Sequence, residues 1–111
     1  NDDMALGAID AYTKLNITQS TFPVFFGIDG TEEGLKAVVD SKMAGTVYND
    51  KEGQAEAMAK LAAALVSGEG MDEIPFEDEK FIYLPYEKIT KDNAESFLGG
   101  RQEMTDGRKT Q

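Results

Sequence analysis

From Phe22 to Ile28 the chain reads FPVFFGI, a run without a single charge, and it continues at once as DGTEEGL. A near-continuous apolar run is what a strand needs when helices cover both faces of a parallel sheet, because no alternate position has to meet water. Pro23 fits the first residues of such a strand and nowhere deeper. The change at Asp29 is abrupt. Thr31 can cap a helix, Glu32 and Glu33 lie where the helix dipole favours negative charge, and Leu35, Val38 and Val39 form an apolar stripe. A buried strand running through a tight turn into a helix restricts the chain to an α/β architecture, whose ligands collect at the carboxyl ends of the strands.

The same alternation extends in both directions. Asp2 or Asp3 can cap a first helix whose buried face carries Ala5, Ala8, Ile9, Tyr12 and Leu15. MAGTVYN, from Met43 to Asn49, reads as the next strand. From Glu52 to Ser67 a long helix carries Met58, Leu61, Ala62, Leu65 and Val66 as a core stripe, and Gly68 stands where a C-terminal glycine belongs. The acidic stretch from Gly68 to Lys80 reads as a loop, FIYLPY as a last short strand and TKDNAESF as one or two helical turns. Residues 98–111 are expected to be a flexible tail with no assigned function. Short connections make the strands parallel and the crossovers right-handed. The expected architecture is a doubly wound parallel sheet flanked by helices, and an incomplete one, since a helix cap opens the sequence where such a sheet would end another strand.

Composition narrows the chemistry. Twenty-one acids against eleven bases give a formal charge of -10, which repels nucleic-acid phosphates and anionic lipid surfaces, so no nucleic-acid partner is expected. Cysteine and histidine are both absent. That excludes disulfide frameworks, thiolate and imidazole metal sites, and Ser-His or Cys-His nucleophiles within this chain. No phosphate loop or acid-base pair stands out either, so no catalytic residue is expected and the chain does not read as an enzyme. The clusters Asp72-Glu73 and Glu77-Asp78-Glu79 lack the spacing of a calcium loop and read as solvated loop. Asn16-Ile17-Thr18 matches a glycosylation acceptor, a weak three-residue pattern.

Asn1, Asp29 and Asn49 remain as ligand candidates. Each stands just past the expected carboxyl end of a strand, so a parallel sheet would bring all three to one rim. A carboxylate accepts hydrogen bonds from two adjacent hydroxyls and a carboxamide both donates and accepts, a set suited to a neutral polyol such as a sugar. The competing reading makes Asp29-Gly30 a plain turn and Asn49-Asp50 a plain helix cap.

The blocks NDDMALGAIDAY, PVFFGIDGTEEGL, MAGTVYNDKEGQAEAMAKLAAAL and IYLPYEKITKDNAESF together resemble the C-terminal part of the galactose/glucose-binding proteins of bacterial ABC transporters. The resemblance implies a type I periplasmic-binding-protein fold of the ribose-binding kind, partial here, in which two α/β lobes close on a hexose. Asn1 matches the asparagine opening the block N-D-x-M-A-x-G-A, Asp29 the aspartate after the family's buried strand, and Asn49 the asparagine ending A-G-T-V-x-N. In the family all three hydrogen-bond hexose hydroxyls. Asp3 stands where the family usually has a small residue. Asn49-Asp50 and Leu84-Pro85-Tyr86 match two of the three hinge segments. Residues 1–49 and 84–97 would then belong to the C-terminal lobe and residues 50–83 to the N-terminal lobe. The family's calcium loop and sugar-stacking aromatic pair belong upstream, so no cofactor is expected in this chain itself. Implied partners are glucose or galactose, the preceding portion of the same protein, a membrane permease of the ABC type and a chemoreceptor. The implied location is the periplasm or the extracellular side, free or lipid-anchored. Two other classes use similar folds: the ligand-sensing domain of lactose-repressor-type regulators, and flavodoxin-like enzymes or receiver domains.

Overall fold

A computed structural model of the chain describes residues 1–15 and 21–100. The chain divides into two compact units, one built from Asn1–Asn49 together with the chain from Glu87 on, the other from Asp50–Tyr86.

In the first unit, helix α1 spans Asp2–Lys14. Its cap is Asn1 rather than the expected Asp2 or Asp3: the Asn1 side-chain oxygen accepts from the Met4 amide at 3.0 Å. Asp2 and Asp3 occupy the first turn, where the dipole favours their charge. Ala5 and Ile9 are buried as the spacing requires. Leu15, expected on the same face, is the exposed C-cap residue, one position beyond the last helical turn. Tyr12 completes the packing edge-to-face against Phe22 and Phe25, with ring centroids 5.9 and 5.7 Å away.

Past Phe25 the extended chain pairs in parallel with the segment that follows Met43. Ala44 donates to the Phe25 carbonyl, Gly27 to Gly45 and Asp29 to Val47, at 2.8 to 3.0 Å. The parallel direction is the one the alternation of elements requires. Burial on both faces is not realised. Phe25 and Gly27 turn toward the core, whereas Val24, Phe26 and Ile28 alternate with them on an open face, Phe26 with 69% of its surface exposed. The core of Ala5, Ile9, Leu35, Val38, Met43, Ile89 and Ala94 gathers as a single cluster, and no other cluster of buried residues covers the second face among the described residues.

Helix α2, Glu32–Val39, starts on Thr31, whose hydroxyl accepts from the Gly34 amide at 3.0 Å. Leu35, Ala37 and Val38 are buried. Strand β1, Thr46–Tyr48, then pairs antiparallel with β2, Glu87–Ile89, in the register Thr46 with Ile89 and Tyr48 with Glu87. The last strand was expected over FIYLPY and parallel; it lies later and runs the other way. The chain leaves β1 at Tyr48 and returns opposite that same residue at Glu87, and a strand that enters where its neighbour leaves must be antiparallel. Residues 94–100 close the unit as a helix with Ala94 buried, Phe97 against Tyr48 at 5.1 Å and Leu98 half-buried on the core. That helix runs past the point where the tail was expected to begin. The rest of the tail, and the Asn16-Ile17-Thr18 pattern, lie outside the described residues.

The second unit is dominated by helix α3, Lys51–Ser67. Asp50 caps its start by accepting from the Gly53 amide at 3.0 Å, and Gly68 ends it in the left-handed conformation, φ 74°, donating to Ala64 at 2.9 Å. Alanine is the best helix former, and this helix is rich in it. The expected core stripe, however, is not core in this unit. Ala64 is the buried residue, Leu61 is half-buried, and Met58, Leu65 and Val66 are exposed, Val66 at 91%. So short a unit, with no sheet, offers α3 a 3-10 turn at Met71–Glu73 and the loop after it to pack against. That loop reverses through Asp78 and Glu79, both at positive φ, and closes by a bridge between Glu77 and Phe81.

Candidate functional site

Three backbone segments of the first unit lie side by side. The Asp2 amide donates to the Ile28 carbonyl at 2.8 Å, and the Asn49 amide donates to the Asp29 carbonyl at 3.2 Å. These two bonds bring Asn1, Asp29 and Asn49 to one edge in that order. The backbone at Asp29 is unusual. Its φ of 117° is a conformation that a residue with a Cβ adopts at a cost of about 1–3 kcal/mol and that is found where the surroundings over-determine it. Gly30 follows at φ 65°, and a Cβ there would lie 2.8 Å from the Tyr48 ring. Only glycine lets the chain turn this closely over β1. Thr31 then begins α2, so the strand end, the turn and the helix cap fall on consecutive residues.

The three candidates differ in what they leave available. Asp29 is half-buried, with its main chain held by Val47 and Asn49. Asn49 is half-buried at the end of β1, and Asn1 is exposed. The Asn1 side-chain oxygen accepts from the Met4 amide, and its amide nitrogen is a donor. The set is one strong acceptor flanked by two carboxamides.

Asp50, expected with Asn49 at a hinge, is the N-cap of α3 and the first residue of the second unit. Leu84, Pro85 and Tyr86 end that unit, three residues beyond the expected boundary at position 83. Both covalent crossings between the units therefore fall on or beside residues singled out in the sequence.

Sequence reasoning gave Asp2 no role beyond capping. Its side chain is fully buried, and its two oxygens are shared among three donors. One accepts from the Thr31 amide at 2.7 Å and the Thr31 hydroxyl at 3.2 Å, the other from the Thr46 hydroxyl at 2.6 Å. A Cβ on Gly27 or Gly34 would collide with this carboxylate. These four residues are scattered over three segments, and no periodicity links them. A hydrogen bond to Glu32 raises the Lys36 pKa, and one to Lys60 lowers that of Glu56. Among the described residues no group of three or more acids gathers to hold a metal ion, and no helix is long and apolar enough to cross a membrane.

A family model described as a periplasmic binding protein domain matches residues 1–70, which takes in Asn1, Asp29, Asn49 and all of α3. The chain belongs to the periplasmic binding protein family. This periplasmic binding protein chain is 36% identical over 100 residues to the D-galactose/methyl-galactoside binding periplasmic protein MglB of Haemophilus influenzae, covering 88% of the chain and 29% of that relative. It is 33% identical over 99 residues to a putative rhizopine-binding protein of Rhizobium meliloti, covering 89% and 29%. It is also 36% identical over 111 residues to a xylitol-binding protein of Mycolicibacterium smegmatis, covering 96% and 29%. The chain thus spans about three-tenths of the length of these curated relatives. All three carry binding, and no catalysis, in their names. Membership gives the fold class as type I periplasmic-binding architecture, present here over part of its length.

Proposed function

We propose that this chain forms one wall of a monosaccharide site, in which the Asp29 carboxylate accepts from two adjacent hydroxyls while Asn1 and Asn49 bond the hydroxyls on either side. The ligand is glucose or galactose, and the protein hands it to the membrane permease of an ABC transporter. The observation that carries this reading is the alignment of the three residues along one edge by the Asp2–Ile28 and Asn49–Asp29 backbone bonds. The galactose-binding relative supports the choice of hexose.

The opposite wall comes from the preceding portion of the same protein. The open apolar face at Val24, Phe26 and Ile28 and the exposed stripe of α3 support this. Asn49-Asp50 and Leu84-Pro85-Tyr86 act as two hinge connections, consistent with the unit boundaries beside them. Hinges of this kind absorb backbone change as lobes close.

The test is calorimetric titration of the full-length protein with glucose and galactose. Removing an acceptor shared by two hydroxyls leaves them unpaired in a closed cleft, so Asp29→Ala is expected to weaken binding by about 2–4 kcal/mol. Unchanged affinity for both sugars overturns the assignment.

A further inference from the structure

We infer that Asp2 is the positioning residue of this rim: a buried carboxylate that locks together the three segments carrying Asn1, Asp29 and Asn49. The inference rests on the hexose reading for what the rim does, but its geometry stands independently.

Asp2 follows Asn1 directly, and its amide joins Ile28, the residue before Asp29. One carboxylate oxygen takes both donors of Thr31, two residues after Asp29, and the other takes the hydroxyl of Thr46, three residues before Asn49. Asp29 and Asn49 thus lie within three residues of a group that this one side chain holds, and Asn1 is its neighbour in the chain. The site is tight. Asp2 exposes none of its surface, and Gly27 and Gly34 lack side chains where a Cβ would strike its oxygens. Burying a carboxylate is costly unless it is hydrogen-bonded, and here three donors converge on it. The result is a cross-link between α1, the turn into α2 and β1.

A merely structural role would loosen the whole unit when Asp2 is changed. A positioning role loosens the rim selectively. The full-length protein is compared with Asp2→Ala, with Asp2→Asn, which keeps an acceptor for Thr31 and can donate to the Thr46 hydroxyl, and with Val38→Ala as a core control. The first measurement is hydrogen exchange of three amides: Asp29 and Asn49 at the rim, and Met43, which donates to Ala37 at 3.0 Å. In Asp2→Ala the two rim amides should exchange at least about tenfold faster with Met43 within about twofold, a selective loss of local protection. Asp2→Asn should fall between that variant and the parent protein. The second measurement is hexose titration: about a tenfold loss in Asp2→Ala, with Val38→Ala within about twofold. Equal acceleration at all three amides, or none at the rim, overturns the inference. If Asp2→Ala does not fold, Asp2→Asn decides by the same selective pattern. Asp29→Ala that leaves hexose affinity intact refutes the hexose reading alone, while the exchange data still decide the role of Asp2.

Discussion

The two units of this chain reach helical structure by opposite routes. In the first, α1 and α2 are short, and each buries a stripe against the shared cluster of Leu35, Val38, Met43 and Ile89. In the second, α3 is the longest helix among the described residues, yet Ala64 is its one buried residue. Local terms account for α3: many alanines, an aspartate cap that satisfies the Gly53 amide, a left-handed glycine at its end and a Glu56–Lys60 pair one turn apart. Tertiary terms account for α1 and α2, whose polar faces would leave helices of that length marginal alone. Regular structure is therefore no measure of packing in this molecule. The candidate ligand residues all belong to the packed unit, where a rim can be held to fixed geometry, while the open apolar stripe of α3 belongs to the other.

The contrast is broken or sharpened most strongly at its two leucines. Leu35 exposes none of its surface, so Leu35→Ala in the full-length protein should lose about 2–5 kcal/mol in denaturant unfolding. Leu65 is exposed; if the preceding portion of the full-length protein covers α3 as proposed, the same truncation there is expected to cost about 1–3 kcal/mol. A change under about 0.5 kcal/mol would make α3 a solvent helix in the intact protein too.

Two glycines separate space from backbone. Alanine at Gly34 would normally favour a helix, but its Cβ meets the Asp2 carboxylate; Gly34→Ala should therefore destabilise by about 1–3 kcal/mol, read as a lower denaturation midpoint. Gly68 has open space around it and a φ of 74°, so Gly68→Ala should cost only about 1 kcal/mol, and Gly68→Asn should recover part of it. Equal losses from the two alanine substitutions would erase the distinction between a packed unit and a locally determined one.

The smallest effect lies on the exposed face of α3. Bonding to Lys60 lowers the Glu56 pKa in the folded chain, so the pair contributes above the ordinary glutamate range and is lost as pH falls through the lowered folded value. Helical circular dichroism should show a slight acid-side decline that Glu56→Gln lacks and that added salt reduces. A decline unchanged by the substitution assigns it to other carboxylates.

The sequence by itself determined what local chemistry and spacing control. Thr31 and Gly68 bound their helices as read, the parallel pairing of the FPVFFGI segment with the next strand follows from alternating elements joined by short connections, and the blocks around Asn1, Asp29 and Asn49 carried the family. Tertiary structure decided everything that depends on where the chain goes next. Tyr48 meeting Glu87 turned the last strand antiparallel, because direction follows from the end at which a strand enters. Val24, Phe26, Leu65 and Val66 stayed exposed, because an apolar residue is core only where something covers it. Asp2, legible as one of two possible caps, became a buried hub because Thr31, Thr46, Gly27 and Gly34 converge on it from distant positions. Periodicity records the neighbours of a residue along its own element, and it carries no trace of partners that folding brings from elsewhere.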